Sequence, residues 1–436
     1  DVRFNSKMDS ARYDEPTNIW HVATSDNQYY SCRYLVTAVG VMSERFLPNI
    51  PGIETFGGER YMTARWPKEE PDFRGKRVGI IGAGASAVQA IPLIAKRAET
   101  LTVFQRTANY VLPAQNRLLT SAERDNIKRD YEKVWDHARG HSFGMPFNPA
   151  SRLAVETSEE ERDKIFEDYW QRGGFRFIFE TFDDLLTDPL ANEMAADFIR
   201  KKIRETVKNP ETAEALCPKG YPFGGKRPPN GTDYYETYNA KNVDLVDLKV
   251  TPIKEITETG VRTSEQHHEF DVIVFATGFD AVTGAFTSID IQGRGGKTLK
   301  EHWKAGPRTL YGMGAHGFPN LFMVFGPQTP FANNPLVIEQ SATTISSMIE
   351  FMRRNSIESA EVTEEGEEFW CDEVEARANE TVVPLGANAN SWIYGANIPG
   401  KARAVSFYFG GLDMYSDFCS KEASEGFPNI RMVRSN

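Results

Sequence analysis

Apolar positions along this chain change period several times, and each change marks an element. Near the start, Ile19-Trp20-His21-Val22-Ala23-Thr24 and Tyr29-Tyr30-Ser31-Cys32-Arg33-Tyr34 alternate with the two-residue period of a strand. Ser25-Asp26-Asn27 between them supplies turn chemistry, which predicts a hairpin. Tyr34-Leu35-Val36-Thr37-Ala38-Val39-Gly40 reads as a buried strand ending in small residues, and Pro48-Asn49-Ile50-Pro51-Gly52 breaks the chain into a loop. Arg77-Val78-Gly79-Ile80-Ile81 predicts a short buried strand, followed by a Gly-rich turn, a helix to about Lys96 and a further strand over Leu101-Thr102-Val103-Phe104. From about Leu118 to Val207 the spacing becomes helical. Ala195, Phe198, Ile199, Ile203 and Val207 fall on one stripe that must face a core. Strands resume near Val243-Leu245 and again at Asp271-Val272-Ile273-Val274-Phe275. No internal repeat and no low-complexity tract interrupts this order.

Strand, turn, helix, strand over residues 77–104 makes one βαβ unit, and its turn carries the first chemistry. In Gly82-Ala83-Gly84-Ala85-Ser86-Ala87 the pattern is G-x-G-x-x-A. The first Gly permits the tight turn, and the second lets a pyrophosphate approach the backbone N–H groups of a helix N-terminus. The small Ala87 lets helix and strand pack closely. A bare pattern of this kind is common, but its place between a strand and a helix points to a dinucleotide. Gln89 lies on the helix just beyond it. At the end of the second strand an acid would bind a ribose 2′-hydroxyl. This chain has Gln105-Arg106-Thr107 instead, and a guanidinium beside a hydroxyl suits a 2′-phosphate, so NADP is favoured over NAD. Two other strand ends, Thr37-Ala38-Val39-Gly40 and Ala276-Thr277-Gly278, resemble each other. Their small residues admit either a close-lying dinucleotide or plain packing.

Composition removes several classes. With 40% hydrophobic and 25% charged residues over 436, the chain is an ordinary globular protein large enough for two or three domains. The net charge of −11, with Lys and Arg dispersed among acids, argues against a nucleic-acid surface. Cys32, Cys217, Cys371 and Cys419 are far apart, so neither a dithiol redox site, a thiolate metal cage nor a disulfide framework is indicated. They fit a reducing compartment and are expected to be mostly buried small hydrophobes, which with the absence of an apolar membrane run gives a cytoplasmic expectation. The seven histidines show no metal-ligand spacing, and His267-His268 reads as a solvated turn. No metal site is expected, and no protein partner is indicated.

Longer motifs carry a family resemblance. Phe56-x-Gly58-x-x-x-Met62-x-x-x-Trp66-Pro67 resembles the Baeyer–Villiger monooxygenase fingerprint F-x-G-x-x-x-H-x-x-x-W-P, departing from it at Met62. The resemblance continues through Val103-Phe104-Gln105-Arg106-Thr107 and Pro218-Lys219-Gly220-Tyr221-Pro222-Phe223-Gly224-Gly225-Lys226-Arg227. It extends further through Asp271 to Asp280, Gly317-Phe318-Pro319-Asn320-Leu321-Phe322 and Gly395 to Lys401, and so covers essentially the whole chain.

The resemblance implies an α/β fold of two nested, Rossmann-like dinucleotide-binding domains with a helical insertion. Residues 1–41 and 270–436 would form the FAD domain, the latter with a C-terminal segment that contacts substrate and cofactor. Residues 42–114 and 223–269 would form the NADP domain, and 115–222 the insertion. The family's first FAD-binding βαβ unit is not found among these residues, which is expected to leave apolar strand edges near Leu35 to Val39 uncovered. FAD and NADPH are the implied cofactors and a small ketone and O2 the implied substrates. The product would be an ester or lactone, with natural-product metabolism as one setting.

By resemblance Arg227 is the catalytic arginine, and the chemistry asks for one. Oxygen activated on a flavin attacks a carbonyl, and a fixed guanidinium holds the resulting oxyanion charge. Lys226 would join Arg106 and Thr107 at the 2′-phosphate. Met8 would meet the FAD adenine, Asn334 and Pro335 would border the flavin and substrate, and Trp392 would pack beside the nicotinamide or simply in a core. An N- or S-oxidising flavin monooxygenase, and a non-catalytic NADP-binding remnant without flavin, remain open on the residues alone.

Overall fold

In the computed structural model, residues 2–434 are described. A five-stranded parallel sheet runs in the order Val243–Asp247, Thr100–Gln105, Arg77–Ile81, Val272–Phe275, Glu59–Met62. Its three inner strands are buried almost end to end, as a parallel sheet covered on both faces requires. The crossover helix Ala85–Ala95 lays Val88, Ile91 and Ile94 on one face. There they share a core with Val78, Ile80 and Val103 of the strands. On the other face Phe56, Met62, Ile81, Phe104, Phe270, Ile273 and Phe275 form a second apolar cluster. This cluster is completed by Ile256 and Val261 from the antiparallel strands Ile253–Thr257 and Gly260–Thr263.

The helical insertion extends the first of these cores. Asp188 caps Pro189–Thr206 by accepting the N–H groups of Leu190 and Ala191, and proline opens the helix where no donor is needed. Ala191, Ala195, Phe198, Ile199 and Ile203 form its buried stripe, the one the spacing predicts. Phe166 and Phe177 pack on Phe198, Phe182 meets Phe166 edge-on, and all belong to the cluster that covers the sheet. Each such ring contributes roughly 2 kcal/mol by burial, which ties the insertion to the sheet.

The remaining sheets join distant stretches of chain. The hairpin of Ile19–Thr24 and Tyr29–Cys32 is present, and Met8–Asp14 precedes it in the same sheet. Met8–Asp14 also pairs in parallel with Asp290–Gln292, Ser10 opposite Asp290. Leu35–Thr37 pairs in parallel with Leu321–Met323. These pairings close around the five-stranded sheet, so the segment before residue 41 and the segment after 270 share cores, as nested Rossmann-like domains require. Leu35–Thr37 has no partner on its other edge among the described residues, and Val36 is 47% exposed.

Two expectations change. His267 and His268 do not form a solvated turn. They lie in the edge strand His267–Glu269, with His267 hydrogen-bonded to Thr257 and the His268 ring edge-on to Phe104. The side-chain alternation there was too short to show as a strand. Only Cys217 and Cys419 are buried, Cys32 and Cys371 being half-exposed, and all four are free thiols. Among the described residues no helix is long and apolar enough to cross a membrane, and no cluster of His, Cys, Asp and Glu could hold a metal.

Candidate active site

The Gly82 turn is shaped by what lies behind it. Gly82 has φ +120, and a Cβ there would lie 2.3 Å from the Ala276 carbonyl oxygen, so only glycine fits between the two central strands. At Gly84 a Cβ would meet nothing within 4 Å. Gly84, Ala85 and Ser86 are exposed at the start of a helix that no side chain caps. First-turn N–H groups therefore face open space, an arrangement suited to an anion. Ala87 is fully buried against the strand. Gln89 is exposed and donates from Nε2 to the Ala85 carbonyl at 3.2 Å, so in this state its amide is turned back onto the same turn.

Arg106 and Thr107 follow directly from Thr100–Gln105 and put a guanidinium and a hydroxyl at the sheet's carboxyl end. Lys226 approaches from the 223–227 loop. Burial pulls its pKa down to about 8, and the nearby positive charges of Arg106 and Lys249 push in the same direction. None of these three cations has an ion-pair partner among the described residues. Lys226 is half-buried and Arg106 and Lys249 are exposed, and three like charges near enough to act on one another suit a multiply charged anion. Lys249 is the member that sequence reading missed. It lies two residues past Asp247, and Asp247 stands opposite Gln105 in the sheet. Only the strand order brings it beside Arg106.

Arg227 lies one residue on, with its guanidinium carbon 5.2 Å from the centre of the Phe175 ring. It remains open to solvent, and the protein around it still lowers its pKa by partial desolvation. The guanidinium stays protonated throughout the working pH range. A second wall, the 383–394 segment, comes close against the same loop: a Cβ on Gly386 would sit 2.3 Å from the Gly225 carbonyl oxygen.

Trp392 is in this wall, half-buried, with its ring 5.6 Å from Phe407 and 6.1 Å from Phe331. Phe331 leads into helix Asn334–Arg354, where Asn334 and Pro335 are exposed in the first turn. Asn333 does not cap that helix with its side chain, whose Nδ2 donates to the Gly144 carbonyl. Met8 stands apart at the start of Met8–Asp14, packed on the core of the N-terminal sheet. Met62, the fingerprint departure, is buried in the apolar cluster with Phe56, Phe104 and Phe275. Trp66 is 39% exposed and leans on Tyr61 and Phe73.

A strand–glycine–helix turn, a cation cluster at the neighbouring strand end and an arginine against an aromatic ring are the marks of a NADP-dependent oxidoreductase. No family model matches the chain. It is 44% identical over 417 residues to a phenazine N-monooxygenase of Lysobacter antibioticus, covering 95% of this chain and 76% of that protein. It is 42% identical over 430 residues to a Baeyer–Villiger monooxygenase of Pseudooceanicola batsensis, covering 98% and 78%. Among solved structures, cyclohexanone monooxygenase from Rhodococcus sp. Phi1 bound to NADP+ superposes with a TM-score of 0.96 at 42% identity, covering 99% and 81%. A complex of OTEMO with FAD and NADP gives 0.94 at 38%, with the same coverage. The chain belongs to the Baeyer–Villiger monooxygenase family, and it is a flavin-dependent monooxygenase with FAD and NADPH as its cofactors.

The residues present fit these cofactors to different extents. For NADP(H), the Gly82 cradle and the three unpaired cations match a diphosphate and a 2′-phosphate. For FAD, the uncapped first turn at Asn334 beside the Phe331, Trp392 and Phe407 rings fits the ring end. No second Gly-rich strand–turn–helix occurs among the described residues.

Proposed function

We propose that this chain inserts one oxygen atom from O2 beside the carbonyl of a small ketone, giving an ester or lactone, with Arg227 as the catalytic residue. The observation that supports this is the position of Arg227: a guanidinium without a carboxylate partner among the described residues, against the Phe175 ring and one residue from Lys226. Bound FAD, reduced by NADPH, supplies the activation of O2. The chain's own residues supply binding, charge and exclusion of water. Arg106, Thr107, Lys226 and Lys249 hold the 2′-phosphate, and residues 82–87 with Gln89 hold the diphosphate. Met8 serves the adenine end of FAD, and Asn334 and Pro335 its ring end. Trp392 closes the nicotinamide side with Phe331 and Phe407 and keeps water from the reacting carbonyl. Arg227 faces the negative charge that grows on the carbonyl oxygen as the new C–O bond forms, and it gives up no proton in doing so.

The domain division proposed with this role is 1–41 and 270–436 for FAD, 42–114 and 223–269 for NADP, and 115–222 as the insertion, except that the strand Val272–Phe275 lies within the sheet of the NADP part. A cytoplasmic location is part of the same reading, supported by four free thiols. The test is incubation of the holoenzyme with NADPH, isotopically labelled O2 and a panel of cyclic and linear ketones, with products read by mass spectrometry. Label in an ester or lactone is the expected result. A second reading, oxygenation of an aromatic nitrogen, is favoured by the similarity to the phenazine N-monooxygenase. Such a transfer builds no oxyanion on a substrate carbonyl. Labelled N-oxide from a phenazine, with no turnover of any ketone, would replace the first reading.

A further inference from the structure

A Gly-rich turn holds a diphosphate only if its peptide planes face the right way. In a trans peptide the C=O and N–H groups point in opposite directions, and no cis peptide occurs among the described residues. In the Ala83–Gly84 peptide the carbonyl points inward and accepts a hydrogen bond from Asn109 Nδ2 at 2.6 Å. The opposite end, the Gly84 N–H, then points away from Asn109, and Gly84 is itself exposed, with nothing within 4 Å of where a Cβ would stand. No protein acceptor meets that N–H among the described residues.

Asn109 is itself held. It is 8% exposed, and its own carbonyl accepts the Tyr235 hydroxyl at 3.1 Å. The Tyr235 oxygen in turn accepts the Val111 N–H at 3.1 Å. Burial raises the Tyr235 pKa far above its ordinary value, so the phenol keeps the proton it donates. The loop after Thr100–Gln105 thus does two things within a few residues: it presents Arg106 and Thr107, then reaches back to set the plane of the turn.

We propose that Asn109 is a positioning residue for the NADPH diphosphate, aiming the Gly84 N–H by holding the Ala83 carbonyl. This rests on the reading that residues 82–87 hold that diphosphate. Without the Asn109 amide, the peptide plane is free to rotate, and the diphosphate loses a preset donor. The 2′-phosphate, held by Arg106, Lys226 and Lys249, is untouched.

The test measures dissociation constants of the holoenzyme for NADP+ and for 2′-AMP, which has the 2′-phosphate and no diphosphate. In Asn109→Ala the affinity for NADP+ should fall about tenfold or more, the effect of one hydrogen bond to a charged group. Affinity for 2′-AMP should stay within about twofold, which also reports that the domain is folded. Asn109→Asp keeps the side-chain volume but offers the Ala83 carbonyl no donor, and should give the same split. Unchanged NADP+ affinity in both variants overturns the proposal, as does an equal loss for NADP+ and 2′-AMP. Gly84→Val separates this from the underlying reading, since its side chain enters only the open space in front of the turn. Loss of NADP+ binding there, with none in the Asn109 variants, removes Asn109 alone. No loss in any of the three removes the turn as the diphosphate site.

Discussion

Raising the pH from 7 to 9 should weaken NADPH binding about tenfold through Lys226 alone. Its pKa in the cofactor-free site lies at about 8, lowered first by burial and then by the charges of Arg106 and Lys249. A bound 2′-phosphate favours the charged ammonium, so binding and protonation are coupled. Below pH 8 the lysine already carries its proton and affinity is flat. Above it, binding must take up a proton, and the dissociation constant grows with the deprotonated fraction. Across two units centred on 8 that fraction changes the constant by roughly a factor of ten, or about 1.4 kcal/mol. The phosphate's own second ionisation lies near 6 and is complete throughout this range. Calorimetric titration of NADPH at closely spaced pH values measures the curve, with NADH as the internal control because it lacks the 2′-phosphate. Lys226→Met should bind NADPH weakly with no inflection. Parallel curves for NADPH and NADH would refute the assignment of Lys226 to the 2′-phosphate. The same depressed pKa bears on folding. The native state binds fewer protons than the unfolded chain between about pH 8 and the ordinary lysine value, so this position disfavours the fold at neutral pH and ceases to do so as pH rises. Lys226→Met should therefore raise the melting temperature of the cofactor-free protein at pH 7, with the gain shrinking toward pH 10.

Three further outcomes are expected. Arg227→Ala should reduce oxygen insertion by two orders of magnitude or more, about 3 kcal/mol of transition-state stabilisation, while the KM for NADPH stays within about twofold. Ester formation at a near-normal rate would remove Arg227 from the chemistry. Arg106→Ala should raise the KM for NADPH while leaving that for NADH nearly unchanged, and equal use of both cofactors by the unaltered protein would show that the cation cluster does not select. Met62→His should destabilise the protein by about 1–3 kcal/mol, because the imidazole enters a cluster of Phe56, Phe104 and Phe275. The loss should deepen as pH falls through the ordinary histidine pKa, since a buried imidazole resists the proton that the unfolded chain accepts. Denaturant titrations at pH 8 and pH 5.5 measure it, and an unchanged midpoint at both would show that the cluster tolerates a polar ring.

Much of the site was legible wherever function depends on local order. The 82–87 turn, its flanking strands and Arg106 follow one another within a single βαβ unit, so spacing alone identifies them. Helix Pro189–Thr206 was legible for the same reason, its stripe being a local period. Lys249 was not, because its nearness to Arg106 depends on Val243–Asp247 being the sheet neighbour of Thr100–Gln105, across the whole insertion. Asn109 was hidden differently: an amide donating to a turn carbonyl leaves no pattern in a sequence, only a distance in space. At Met62 the departure from the family fingerprint was legible but its reason was not: burial among aromatic rings, formed by distant stretches of chain, accommodates an apolar side chain.

The nested pairing of strands also sets an order in time. The five-stranded sheet has all its strands once synthesis has passed Phe275. Met8–Asp14 receives its parallel neighbour only with Asp290–Gln292, and Leu35–Thr37 only with Leu321–Met323. Although Met8–Asp14 pairs early with Ile19–Thr24, it and Leu35–Thr37 are among the last of the described strands to complete their pairing, and the inner sheet can consolidate while they wait. Contacts of such long sequence separation form slowly. During that interval Trp20, Val22 and Leu35, which end in a common core, remain open to other chains. Slower elongation through residues 276–323 would lengthen this exposure without altering a single contact of the finished protein.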